Sequence, residues 1–151
     1  PPGGRPMLQP TTVGIAATFT CEPIGRWLSW WLYQIGVSAR LRFAAYNSLH
    51  LELRSPVAFA NAAACVALLN FADWQRGRDS AGFDAARFED DLELLCDGLL
   101  VALPRMSGRL ALLLCPARPT GDDDKEARAA AFDAAATRLK SLAQREPRLS
   151  V

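Results

Sequence analysis

The chain of 151 residues predicts an α/β domain with a parallel sheet and helices on both faces, a three-layer αβα arrangement. Two observations carry this. Short apolar runs rich in β-formers alternate with longer stretches of helical period, which is the sequence pattern of βαβ units. The length and the 50% hydrophobic composition also suit one core rather than two.

The segment Thr12–Thr18 is the first predicted strand. It runs into the polar turn Thr18-Phe19-Thr20-Cys21-Glu22-Pro23 and then into a helix over about Ile24 to Ile35. In this helix Ile24, Leu28, Trp31 and Ile35 share one stripe, read as core-facing, and Arg26, Trp30 and Tyr33 fall on another face. The second strand is predicted at Ala39–Ala44 and the third at Ala64–Asn70, with a short helix after Tyr46-Asn47-Ser48 between them. A helix from about Asp84 to Leu103 aligns Phe88, Leu92, Leu95, Leu99 and Ala102, with Glu89, Asp90 and Asp91 near its positive amino end. The fourth strand is predicted at Arg109–Cys115. The last helix, from about Asp123 to Gln144, begins among Asp122, Asp123, Asp124 and Glu126, ends among Arg138, Lys140 and Arg145, and has a stripe of Phe132, Ala135, Leu139 and Leu142. Arg148–Val151 starts a new apolar run, read as the beginning of a fifth strand at a truncated end. Residues 1–11 are Pro/Gly-rich and read as a linker, leaving 12–151 as the folded domain.

Composition excludes several functions. The 17 basic and 16 acidic residues nearly cancel, so no broad field draws nucleic acid or an anionic membrane. No apolar run reaches the roughly 18 residues that span a bilayer, and no signal sequence starts the chain. Cys21, Cys65, Cys96 and Cys115 have neither C-x-x-C nor zinc-ligand spacing, so they read as reduced core thiols of a cytoplasmic protein, with no metal and no cofactor expected.

Candidate sites gather where strands end, because parallel sheets bind ligands at their carboxyl edge. The first turn offers Thr18, Thr20, Cys21 and Glu22 beside backbone N–H groups at a helix start, suited to an anion or an oxyanion. The simpler reading is a cap by Thr20 or Glu22, with Pro23 in its favoured first-turn position. Cys21 is a candidate nucleophile if the helix end favours its thiolate, and otherwise an inert thiol. Tyr46 and Asn47 follow the second strand. Ser48 and His50 lie close in sequence, but with no evident acid a triad is disfavoured against an Asn47 cap and a half-buried His50. Asn70 and Asp73 close the third strand, where an Asn can donate to an oxyanion and an Asp can cap a turn. Gly77-Arg78-Asp79-Ser80 superficially matches a phosphopantetheine acceptor sequence and reads as a loop. Asp122-Asp123-Asp124 reads as a solvated helix start rather than a metal site.

The series Ala17-Thr18-Phe19-Thr20-Cys21-Glu22-Pro23, Leu41-Arg42-Phe43-Ala44-Ala45-Tyr46-Asn47 and Val66-Ala67-Leu68-Leu69-Asn70-Phe71-Ala72-Asp73-Trp74 resembles the amino-terminal domain of FkbH-like proteins of polyketide and nonribosomal peptide assembly lines. The resemblance implies a flavodoxin- or SGNH-hydrolase-like domain. In complete family members it precedes a haloacid-dehalogenase-type domain that loads a glyceryl unit onto a carrier protein. The Asp-x-Asp signature of that second domain is missing from these residues. Where SGNH hydrolases place a nucleophilic Ser this chain has Thr18-Phe19-Thr20, and their distal Asp-x-x-His has no counterpart before Val151. Asn70 falls at their oxyanion position. The resemblance therefore implies an accessory domain, without independent catalysis, that binds an acyl or peptidyl carrier protein, its cargo or an adjacent synthetase domain. Arg26, Trp30 and Tyr33 are the expected contact. The alternative is an acyl- or glyceryl-transferring enzyme using Cys21 or Thr20, supported by Asn47 and Asn70.

Overall fold

The computed structural model describes residues 10–75, 82–116 and 124–151. Its five strands are β1 (Thr11–Ala17), β2 (Ala39–Phe43), β3 (Ala64–Leu69), β4 (Arg109–Leu114) and β5 (Leu149–Ser150). All neighbours are parallel, in the order β2-β1-β3-β4-β5. This is the flavodoxin-like doubly wound order, whose switch point lies between β1 and β3. The connecting helices are α1 (Gly25–Gln34), α2 (Leu49–Arg54), α3 (Ala85–Ala102) and α4 (Lys125–Arg145).

Right-handed crossovers fix which face each helix covers. The step from β1 to β2 runs one way across the sheet and every later step runs the other way, so α1 lies on one face and α2, α3 and α4 on the opposite one. The core divides accordingly. Behind the sheet, Cys65, Ala67, Leu69, Leu110 and Leu112 pack against Leu49 and Leu53 of α2, Phe88, Leu92, Leu95 and Leu99 of α3, and Ala135 and Leu139 of α4. In front, Ile15, Ala17 and Cys21 form a much smaller cluster with Leu28 of α1 and with Leu41, Phe43, Val66 and Leu68.

The predicted stripe of α3 is buried as expected, and its amino end is capped by Asp84, whose side chain accepts the Arg87 N–H. Ala135 and Leu139 of α4 are buried and Phe132 and Leu142 pack against them. The fifth strand is present and pairs with β4. The predicted core stripe of α1 is corrected. The helix has no buried residue; Leu28 and Leu32 are half-buried, whereas Ile24, Trp31 and Ile35 are exposed. The reason is geometric, since α1 rests on the sheet through Gly25, against the Phe43 ring, and Leu28, in the front cluster, and nothing described covers its flank.

One close approach is built into β1. A Cβ on Gly14 would lie 2.5 Å from the Ala58 carbonyl oxygen and 2.9 Å from Cδ1 of Phe59, so only glycine lets the loop before β3 lie against the strand. That loop is held by Glu52, a buried carboxylate that accepts the Val57 and Phe59 N–H groups at 3.0 and 3.1 Å. The Gly77–Ser80 motif, Asp122, Asp123 and most of the predicted linker lie outside the described residues.

Candidate functional site

The carboxyl edge of the sheet brings the ends of β1, β3 and β4 together. β1 stops at Ala17, and Thr18 continues beside β3 by donating its N–H to the Leu68 carbonyl at 3.1 Å. Its side chain then turns inward. Thr18 is 2% exposed, its Oγ1 accepts the Asn70 N–H at 3.0 Å, and its hydroxyl donates to Asp73 Oδ2 at 3.0 Å. Asn70 organises the turn after β3: its Oδ1 accepts the Ala72 N–H at 3.1 Å, and its carbonyl accepts the Asp73 N–H at 3.0 Å. This local bonding is how Asn and Asp residues shape short turns. Its amide NH2 is the donor that the turn itself does not use.

Cys115 completes the edge. Its N–H donates to the Leu69 carbonyl at 2.7 Å, which extends the β3–β4 ladder past Leu114. The thiol is half-buried, and burial and then the Asp73 charge push its pKa up. Among the described residues, Thr18, Asn70, Asp73 and Cys115 therefore form the polar cluster at this edge. Cys115 is thus not the core thiol that the sequence predicts: the parallel register of β3 and β4 brings it to the edge near Asp73.

The other predicted site residues separate from this cluster. Cys21 is buried in the front cluster with Ile15 and Ala17, and its thiol is pushed up by burial and then by the Glu22 charge. A hydrogen bond from its own backbone opposes this. Such a thiol carries little thiolate, the nucleophilic form. Thr20 and Glu22 are exposed, and neither caps a helix. The short 3-10 turn Glu22–Ile24 has Cys21 at its N-cap without a side-chain hydrogen bond, and α1 follows directly with Ile24 at its N-cap. The capping expectation fails here because Pro23 starts a tight 3-10 turn that passes into α1 without a free first turn.

Asn47 adopts φ +51° and makes the turn before α2, while Ser48 takes the N-cap position; the expected Asn47 cap is corrected to this left-handed turn, a conformation Asn tolerates. Tyr46 is exposed beside it. Ser48 donates its hydroxyl to the Ala45 carbonyl at 2.6 Å, not to His50. His50 is half-buried against the Trp74 ring, with centroids 6.2 Å apart, and burial lowers its pKa while Asp91 opposes the change. A cavity of about 270 Å³ lined by His50, Leu53, Leu94, Asp97, Gly98 and Val101 lies between α2 and α3, and none of the four cluster residues lines it.

Arg26, Trp30 and Tyr33 are all exposed on α1, Tyr33 to 75%. Among the described residues, no group of three His, Cys, Asp or Glu side chains is placed to hold a metal ion, and no helix is long and apolar enough to cross a membrane.

No protein-family profile and no curated protein matches the chain. Among solved structures it is similar to the N-terminal part of the protein BF1531 from Bacteroides fragilis, which contains a phosphatase domain and was crystallised with Mg. The TM-score is 0.68 at 11% sequence identity, over 94% of this chain. The two share a fold. The chain spans 40% of the length of that structure, so the likeness covers one part of a longer molecule.

Proposed function

We propose that the chain is the accessory α/β domain of an FkbH-like unit in a polyketide or nonribosomal peptide assembly line. It binds and positions an acyl or peptidyl carrier protein, or an adjacent synthetase domain, without performing covalent chemistry itself. The observation that carries this reading is the state of Thr18. At the end of β1, where a hydrolase of this architecture would present its nucleophile, the hydroxyl is buried and already donates to Asp73. A hydroxyl that serves as acceptor for Asn70 N–H and donor to Asp73 is a structural tie. The exposed Arg26, Trp30 and Tyr33 supply the residue types that dominate binding hot spots. Sequence resemblance and the shared fold support the family placement.

The transfer alternative rests on Thr20, whose exposed position at the same edge is the feature that favours it. The deciding experiment incubates the chain with acyl- or glyceryl-loaded carrier protein from the same assembly line and follows both intact masses. The proposal expects both masses to stay constant. Transfer of the acyl group to this chain, lost in Thr20→Ala or Cys21→Ser, would establish the enzyme instead.

A further inference from the structure

The cavity between α2 and α3 is lined by two short stripes, one from each helix. Leu94, Asp97, Gly98 and Val101 recur at i, i+3, i+4 and i+7 along α3, beside the stripe that enters the core. His50, Leu53 and Arg54 face them from α2. Gly98 lies in the interior of an 18-residue helix, where glycine is disfavoured against alanine. A Cβ there would approach Cδ1 of Leu53 to 3.3 Å, so its absence leaves space where the two helices meet.

The walls are apolar and the charges are of opposite sign. Leu94 and Val101 are 53% and 50% exposed, while Leu53 is buried. Aliphatic side chains exposed singly need no explanation, but these border one cavity. The charged side chains of the lining are Arg54 from α2 and Asp97 from α3. Both are exposed, and among the described residues neither is in an ion pair. His50 adds no charge at neutral pH, because burial lowers its pKa against the opposing Asp91 charge. A volume of about 270 Å³ is the share of about nine liquid waters, room for a molecule of about nine non-hydrogen atoms. A hydrocarbon of that size would leave both charges without a partner, and a fatty acid or an amine would satisfy only one.

We propose that this cavity binds a small zwitterion with an apolar tail, an aliphatic amino acid, with its carboxylate on Arg54, its ammonium on Asp97 and its side chain against Leu53, Leu94 and Val101. The site shares no residue with the Thr18–Asp73 cluster or with the exposed face of α1, and it does not depend on the carrier-protein reading. The test is an NMR titration of the 151-residue chain that follows the Gly98 and Val101 amide resonances. The probes are leucine and three analogues that each lack one feature: isopentylamine has no carboxylate, isocaproate no ammonium and glycine no side chain. Leucine should saturate these shifts in about the millimolar range. Isopentylamine and isocaproate should bind about two- to fivefold more weakly, the worth of one exposed ion pair, and glycine more than about tenfold more weakly. Asp97→Asn should weaken leucine by the same factor without weakening isocaproate. Arg54→Gln should weaken leucine without weakening isopentylamine. Both side chains are exposed, so circular dichroism of the two variants should match the parent chain. Binding of isocaproate or isopentylamine as tight as that of leucine would overturn the proposal, because the cavity would then select an apolar body and not a zwitterion. The absence of a saturable shift with leucine in that range would overturn it too, as would leucine binding that neither substitution weakens.

Discussion

The Thr18 hydroxyl and the Asp73 carboxylate, 55 residues apart in sequence, meet at 3.0 Å inside the carboxyl edge of the sheet. The bond ties the end of β1 to the turn after β3, and both groups are buried. Thr18→Val keeps the shape but leaves the Asn70 N–H without its acceptor and Asp73 without this donor. A loss of about 1–3 kcal/mol is expected. Thr18→Ser keeps both bonds and should lose less, about the worth of one buried methyl. Denaturant unfolding of the two variants checks the order, and equal losses would mean that the hydroxyl contributes nothing.

Glycine at position 14 is required by the Ala58 carbonyl lying 2.5 Å from where a Cβ would be. Gly14→Ala should destabilise by about 1–3 kcal/mol through overpacking. Gly98→Ala, within α3, meets Cδ1 of Leu53 at 3.3 Å, and the helix propensity of Ala offsets that contact. Thermal melts should therefore show a clear drop for the first variant and little change for the second.

Thiol labelling separates the cysteines. Cys115 is half-buried and should react first with a maleimide, whereas Cys21, Cys65 and Cys96 are buried and wait for opening of the fold. Burial, and then the Glu52 charge, push the Cys65 thiol up to about 11, so it should label very slowly at neutral pH. Peptide mapping over time tests the order, and early labelling of Cys21 would contradict its placement in the front cluster.

Protonation of His50 is coupled to folding. Its folded-state pKa is depressed by burial, so the unfolded chain binds the proton more tightly. Its contribution to stability is present above the ordinary histidine pKa of about 6.5 and is lost as pH falls through the lower folded value. In His50→Gln this part of the pH dependence should vanish. Urea titrations between about pH 5 and pH 8 (about 1.5 units either side of that pKa) measure it. An unchanged acid slope in the variant would contradict the assignment.

The strands were legible in sequence because each is a short apolar run bounded by turn residues. β1, β2, β3 and β4 lie within one residue of the predicted bounds at each end. The helix α3 was equally clear, since Phe88, Leu92, Leu95 and Leu99 repeat with the helical period and a single deep core receives them. The α1 stripe was misread for a physical reason: periodicity reports an apolar arc, not which part of the arc finds a partner. Leu28 finds one in the front cluster, while Trp31 and Ile35 stay exposed. The Thr18–Asp73 bond and the position of Cys115 were hidden because each depends on strand neighbours that are distant in sequence. The edge itself was predictable, since it follows from parallel topology alone.

The most direct test of the accessory-domain account is a calorimetric titration of the chain with the carrier protein of its own assembly line. The same titration is repeated with Trp30→Ala and Tyr33→Ala, both at exposed positions on α1. The account predicts saturable binding that weakens about tenfold in each variant, or about 1.4 kcal/mol. Absence of binding, or binding that neither variant changes, would contradict it.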